Sequence, residues 1–178
     1  MRFSSAATAL FLVLIPSTVH GLEINGGVSL GGSQVGNTSR LSIAPHLGLV
    51  FRPTDGGFIA SLHNTLNILP GTGQFMGMGF NDQTIVALGY AFEKVNVSLG
   101  GSVAAYYMPL CGPKYCGPVR GISLGGHARV DYYAVGPLGI TTNVDVAWYG
   151  GRGSQILPGA LAVTVTVGPI LRVFWERK

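Results

Sequence analysis

The chain has few charged residues for its length. Asp, Glu, Lys and Arg make up only 10% of it, whereas an average soluble domain contains about 25%. So few charges would cover a water-soluble monomer poorly. The formal net charge is +4, and the basic residues are scattered rather than arranged in the stripe that follows phosphates. We therefore predict no nucleic-acid partner.

The chain also lacks a helix-length apolar run that could anchor it. Its start combines a basic residue, Arg2, with an apolar stretch from Ala6 to Ile15 and small residues up to Gly21, which is typical of a secretory signal. The apolar stretch has about ten residues, too few to span a bilayer as a helix. We expect residues 1–21 to be a signal peptide and residues 22–178 to form one domain.

Cysteine is scarce, with only two residues, Cys111 and Cys116, in the stretch CGPKYC. In an exported chain this spacing favours a disulfide that closes a short loop. A metal site would need further His or Cys ligands nearby, and none are close in the sequence. We predict neither a metal nor a cofactor.

What the chain does contain is alternation. Apolar residues occur at every second position in eight segments separated by Gly, Pro, Asn and Asp, and the 3.6-residue repeat of an amphipathic helix is nearly absent. The predicted strands are residues 22–32, 40–52, 57–69, 83–93, 95–108, 119–133, 138–149 and 160–175. The sequence therefore predicts an all-β fold.

The two faces of these strands differ in size as well as polarity. One face is apolar, with Asn64 as its main exception, and the other carries Gly, Ser, Ala and Thr with a few charges. Small side chains suit the interior of a narrow barrel, whereas they would make a poor surface in water. We expect Val130 and Val144 to face hydrocarbon, and Arg129 and Asp145 to face a packed interior.

Aromatic residues on the apolar face lie near the strand ends, as in the two interfacial girdles of a membrane barrel. The predicted girdle residues are Phe51, Phe58, Phe92, Tyr132 and Trp175 at one rim, and Tyr107 and Trp148 at the other. The aromatic rims favour an eight-stranded antiparallel up-and-down transmembrane β-barrel.

Connections of alternating length favour the same fold. Short turns are predicted at 53–56, 93–94 and 135–137, longer loops at 70–82, 109–118 and 151–159, and a brief loop at 33–39. Outer-membrane barrels have short periplasmic turns and longer outer loops. We expect an outer-membrane location of the Gram-negative type, periplasmic termini and membrane lipid as a partner.

The inward charges are expected to form a network, because a lone buried charge is costly. The predicted members are His127, Arg129, Asp131, Asp145, Asn143, Arg40, His46, His63 and Glu93. Pairing of the sixth and seventh strands places His127 near Asp145, with Arg129 in diagonal reach of it. We interpret this network as structural rather than as an ion path. Eight strands leave no room for an open pore.

Some residues are of types that could serve catalysis or ligand binding. Ser123, His127 and Asp131 share one strand face, but neighbours four residues apart are separated by about 13 Å, so they cannot form a triad. A lipid-modifying acyl hydrolase assembled across strands, with His46 or His63, stays an alternative, as does an exported calycin-like carrier of an apolar ligand. The apolar stretch QFMGMGF in loop 70–82 either caps the barrel or contacts a surface ligand.

The alternation, the loop asymmetry and the stretch VALGYAF (86–92) resemble the small eight-stranded outer-membrane barrels, the family of outer-membrane protein X and the membrane domain of outer-membrane protein A. This resemblance implies a structural or surface-interaction role without turnover, exerted through the outer loops. The chain departs from the family at its end, where Trp175 is followed by three polar residues instead of being terminal.

Overall fold

The computed structural model describes residues 21–36, 38–52, 57–71, 77–112, 115–150 and 160–176. Within these ranges the chain forms eight strands: β1 (Gly21–Val35), β2 (Thr38–Arg52), β3 (Phe58–Leu69), β4 (Gly79–Ala91), β5 (Val95–Gly112), β6 (Tyr115–Val135), β7 (Leu138–Gly150) and β8 (Ala160–Glu176). Each strand pairs antiparallel with the next, and β8 pairs with β1. The predicted eight-stranded up-and-down barrel is confirmed. No helix among the described residues is long and apolar enough to cross a membrane.

The register fixes the tilt of the strands. Paired positions followed once around the barrel from Asn25 return to β1 at Val35, ten residues further along. With a rise of about 3.3 Å per residue and strands about 4.8 Å apart, this shift over eight strands gives a tilt of about 40°. Such a barrel is narrow enough for side chains to fill its interior.

Tight turns close one rim of the barrel, which we call the turn end. At this rim, Gly136 and Pro137 alone connect β6 to β7, and Gly136 has a φ of 54°. This left-handed conformation is accessible to glycine without a steric penalty. The opposite rim, where the longer connections lie, is called the loop end below.

The strands around the third outer connection are longer than the sequence predicts. Most of the predicted loop 109–118 is strand, because β5 runs to Gly112 and β6 begins at Tyr115. Residues 108–112 pair only with residues 115–119, and both segments extend beyond β4 and β7. Pro109 and Pro118 lie opposite one another there and need no further strand partner. Their turn-like composition explains why the sequence predicts a loop.

The interior holds an apolar cluster that the sequence analysis did not predict. At the loop end, buried side chains form the loop-end cluster, which comprises Val35, Leu69, Tyr106, Met108, Val119, Ala147, Tyr149 and Ala162. The rings of Tyr106 and Tyr149 meet edge to face with centroids 4.7 Å apart. A smaller cluster of Val50, Ile59 and Ala91 lies near the turn end. The interior therefore holds apolar side chains at both ends of the barrel as well as polar ones.

Candidate functional site: the polar interior and the outer face

The central part of the interior is built around Asp145 on β7. Because inward positions alternate along each strand, β6 presents His127 directly opposite it in register. His127 Nδ1 lies 2.7 Å from Asp145 Oδ1, and both residues are buried. The predicted neighbourhood of these two side chains is confirmed by this contact.

The same carboxylate also connects opposite walls of the barrel. Gln83 on β4 donates from Nε2 to Asp145 Oδ1 at 2.9 Å. Gln83 Oε1 accepts from Asn67 Nδ2 at 3.4 Å, and Asn67 Oδ1 accepts from the Ser42 hydroxyl at 3.2 Å. This chain of hydrogen bonds crosses the interior from β7 to β2.

Arg129 forms a second group closer to the turn end. Its Nε donates to Asp131 Oδ1 at 2.7 Å, and its Nη1 lies 3.1 Å from Nδ1 of His63 on β3. Arg129 was predicted to lie in diagonal reach of Asp145; the carboxylate that its guanidinium binds is that of Asp131, two residues along the same inward face.

A third group lies at the turn end and involves residues that the sequence analysis missed. The buried carboxylate of Glu23 accepts from the Tyr133 hydroxyl at 3.0 Å and from Arg52 Nη2 at 3.2 Å. The guanidinium of Arg172 lies 3.7 Å from the centre of the Tyr133 ring. Glu23 was identifiable in principle, because it is two residues from the inward Asn25.

The remaining predicted network residues fall into two groups. Arg40, His46 and Asn143 are buried as expected; Arg40 donates to the backbone oxygens of Pro70 and Gly77, which holds the base of the loop after β3. The prediction that Glu93 belongs to the interior network is wrong. It is exposed in the turn beyond Ala91, where β4 ends, so it lies outside the interior.

The outer face of the barrel is apolar over most of its height, as predicted. Large exposed residues include Leu30, Leu47, Leu88, Leu99, Ile122, Leu124, Ile140 and Val173. Of the predicted girdle, Phe58, Phe92, Tyr107, Tyr132 and Trp148 are exposed and Phe51 is half-buried, while the Trp175 side chain lies outside the described residues. Phe80 and Tyr90 also belong to the two rims and were not predicted as such.

The distance between the rims can be read from β4. Phe80 and Tyr90, both on the outer face, are ten residues apart. At a rise of about 3.3 Å per residue and a tilt of about 40°, they lie about 25 Å apart along the barrel axis. This separation equals the apolar band of an outer-membrane barrel, about 25 Å.

One polar pair interrupts the apolar outer face. Asn64 on β3 donates from Nδ2 to Asp82 Oδ1 on β4 at 2.9 Å, and both residues are exposed. Asn64 was recognised in the sequence as an exception. Asp82 was assigned to loop 70–82, although β4 already begins at Gly79. Of that loop, residues 72–76 lie outside the described residues.

The positions of the histidines bear on the catalytic alternative. All three histidines of the described residues are buried in the interior, where His127 contacts Asp145 and His63 contacts Arg129. A hydrolase acting on membrane lipid would need its base on the outer face. Within the described residues, no group of His, Cys, Asp and Glu is arranged to hold a metal ion.

The two cysteines face each other across the β5–β6 hairpin. Cys111 and Cys116 are register partners, and the separation of paired residues in an antiparallel sheet, about 4.5–5.5 Å between Cα atoms, suits a disulfide. The bond itself stays a prediction. The predicted signal peptide also stays a prediction, since residues 1–20 lie outside the described part of the chain.

Comparison with known proteins identifies the fold of the chain but assigns it to no protein family. No family model matches the chain, and no curated protein matches it. Among solved structures, the chain is similar to Neisserial surface protein A, with a TM-score of 0.57, 9% identity, and coverage of 84% of this chain and 96% of that one.

A second similar structure is Ail, the attachment invasion locus protein of Yersinia pestis. Its TM-score is 0.52 at 10% identity, with coverage of 87% of this chain and 99% of that one. Another structure of Ail, in complex with the heparin analogue sucrose octasulfate, has the same TM-score and covers 86% and 98%. The chain thus has the fold of the small eight-stranded outer-membrane barrels, as its sequence pattern indicated.

Proposed function

We propose that this chain is an integral outer-membrane β-barrel with a structural or surface-interaction role, without turnover and without an open pore. The spacing of Phe80 and Tyr90 on β4 carries the membrane assignment, because two exposed aromatic rims about 25 Å apart match a bilayer. A soluble carrier of the calycin type would need an apolar cavity. The described interior is instead filled by buried polar side chains, many of them hydrogen-bonded, and by two apolar clusters.

The orientation follows from the same comparison of rims. We assign the turn end and both termini to the periplasm, and the loop end to the cell exterior, since short periplasmic turns and longer outer connections are usual. The protruding hairpin 108–119 and the loop at 70–82 then face outward. Met78 and Phe80 are exposed at the described edge of that loop, which offers apolar contact area to a surface ligand.

Binding of a ligand at the loop end is supported by analogy only. Ail, which shares the fold, has been crystallised with a heparin analogue. For the present chain we propose a surface contact through loop 70–82. Deletion of residues 72–76 should abolish such a contact and leave the barrel folded.

Fractionation tests the membrane assignment. The full chain, expressed in a Gram-negative host, should sediment with the outer membrane and require detergent for release. Its unheated band should migrate differently from the heated band in gel electrophoresis, because the closed barrel resists the detergent until it is heated. Recovery from the aqueous periplasmic fraction, with no difference between the two bands, would reject the proposal.

A second assay separates this proposal from a lipid-modifying enzyme. Lipid A and phospholipids extracted from cells that express the chain should keep all their acyl chains. A loss of one acyl chain that disappears in a His127→Ala, His63→Ala or His46→Ala variant would identify a hydrolase instead. The buried positions of these histidines favour the first outcome.

A further inference from the structure

The polar pair on the outer face lies within the proposed apolar band rather than at its edge. Asn64 Nδ2 donates both to Asp82 Oδ1 at 2.9 Å and to the Gln83 backbone oxygen at 3.3 Å. Along β4, Asp82 is two residues from Phe80 toward the middle of the strand, which corresponds to about 5 Å along the barrel axis. The carboxylate therefore lies just below the loop-end rim, directed at lipid.

A carboxylate in this position needs hydrogen-bond donors. Ionisable side chains in membrane segments are rare and usually point away from lipid, because hydrocarbon offers no donors. A carboxylate has two oxygens with about four acceptor positions, and Asn64 supplies one donor. Within the described residues no other side chain donates to Asp82. The unused acceptor positions point to a donor from outside the chain.

An exposed cation lies above this pair, toward the loop end. Arg120 on β6 is opposite Tyr107 in register, and Tyr107 is opposite Phe80 on β4. These three exposed residues form a row across three strands. Arg120 lies two strands across and two residues along from Asp82, which places their Cα atoms about 12 Å apart.

The outer face of β5 beside the carboxylate carries two small residues. Ala105 on β5 is the register partner of Asp82, and Gly101 lies four residues further toward the turn end, away from Arg120, with the exposed Val103 between them. A Cβ atom at Gly101 would approach no heavy atom closer than 3.9 Å. We call Asn64, Asp82, Gly101, Ala105, Tyr107 and Arg120 together the outer-face site.

We propose that the outer-face site binds a phosphorylated glycolipid whose acyl chains begin with amide and hydroxyl groups, the chemistry of lipid A. A phosphate would pair with Arg120 at the rim. Amide or hydroxyl donors, which follow the headgroup by one or two bonds, would reach Asp82. An acyl chain would then run toward the turn end over Ala105, Val103 and Gly101 of β5. Glycerophospholipids carry only ester oxygens at this depth, so they would satisfy the arginine but not the carboxylate.

This inference rests on the proposed outer-membrane location and loop-end orientation. The test uses the full chain in detergent micelles, with native mass spectrometry to measure binding of lipid A and of phosphatidylglycerol. The variants are Asp82→Leu and Arg120→Gln. Lys94→Gln is the matched control, because it removes one exposed positive charge at the opposite rim.

Asp82→Leu should weaken lipid A binding about tenfold, as expected for the loss of one hydrogen bond to a charged group, and leave phosphatidylglycerol binding unchanged. Arg120→Gln should weaken binding of both lipids, and Lys94→Gln should change neither. If Asp82→Leu does not fold, Asp82→Asn, which keeps one acceptor oxygen, should give a smaller loss in the same direction.

Equal binding of the two lipids by the wild-type chain would overturn the inference. Equal lipid A binding by wild type and both Asp82 variants would overturn it as well, as would an equal effect of Lys94→Gln and Arg120→Gln. In these cases a heat-modifiable, detergent-dependent band would show that the outer-membrane proposal still holds. Absence of that band would reject both proposals together.

Discussion

Replacement of Asp145 tests whether the interior network stabilises the barrel. Its carboxylate Oδ1 is the acceptor for two buried partners, His127 at 2.7 Å and Gln83 at 2.9 Å. Removal of this acceptor leaves two buried side chains without their hydrogen-bond partner, at a cost of about 1–3 kcal/mol each. We therefore expect Asp145→Ala to lower the free energy of unfolding by about 4 kcal/mol.

Asp145→Asn separates charge from shape. The amide keeps one acceptor oxygen but loses the charge, and hydrogen bonds to charged groups contribute about 1.5–3 kcal/mol against about 1 for neutral ones. A loss of about 2 kcal/mol is expected for this variant. The matched control is Asn143→Ala on the same face of β7, which removes a single 3.4 Å hydrogen bond to Thr166 and should cost less than about 1 kcal/mol.

The assay is urea unfolding of the refolded chain in lipid vesicles, followed by tryptophan fluorescence and by the unheated gel band. A double-mutant cycle of Asp145→Asn with His127→Ala should show coupling of about 1 kcal/mol or more, since the two side chains are in contact. Unfolding curves of Asp145→Asn and Asp145→Ala that superimpose on the wild-type curve would refute the reasoning, because a network that tolerates this loss does not hold the barrel together.

Three further predictions concern other parts of the barrel. Gly31→Ala should lower stability by about 1–3 kcal/mol or prevent assembly, because a Cβ there would collide with the backbone oxygen of Val165 on β8, whereas Gly101→Ala should be neutral; equal unfolding midpoints would contradict this. Tyr149→Ala should cost about 3 kcal/mol by opening a cavity in the loop-end cluster, and an unchanged unfolding midpoint would argue against tight packing there. Thiol labelling followed by mass spectrometry should find Cys111 and Cys116 unmodified in native protein and modified after reduction; two reactive thiols before reduction would exclude the disulfide.

The fold could be predicted from the sequence because the same local pattern, alternation of apolar and small residues, runs through every strand. Alternation of apolar and small residues is set by the pleat of each strand, and it predicted the number of strands and the outward face correctly. Strand ends were less well predicted at the loop end. There, Pro109 and Pro118 indicate a loop, but the hairpin tolerates them because its outer edges have no strand partner.

The side-chain contacts of the interior could be predicted only in part from the sequence. Pairing across one turn is local, so the contact of His127 with Asp145 followed from the sequence. Contacts across the barrel depend on closure and tilt, which no local pattern records. Gln83, which reaches Asp145 from the opposite wall, was missed for this reason. Glu93 was wrongly included because the predicted β4 was two residues too long at that end.

The pairing of β1 with β8 has a consequence for how the chain can be made. Ser33 and Thr164, whose hydroxyls are 2.8 Å apart across this seam, are separated by 131 positions in the sequence. Until the last strand is available, a nascent sheet would have two unpaired edge strands and an exposed apolar outer surface. Both features promote aggregation. Such a long-range closure is also intrinsically slow. The chain should therefore depend on a holding chaperone during its passage to the membrane, up to the moment at which its eighth strand docks.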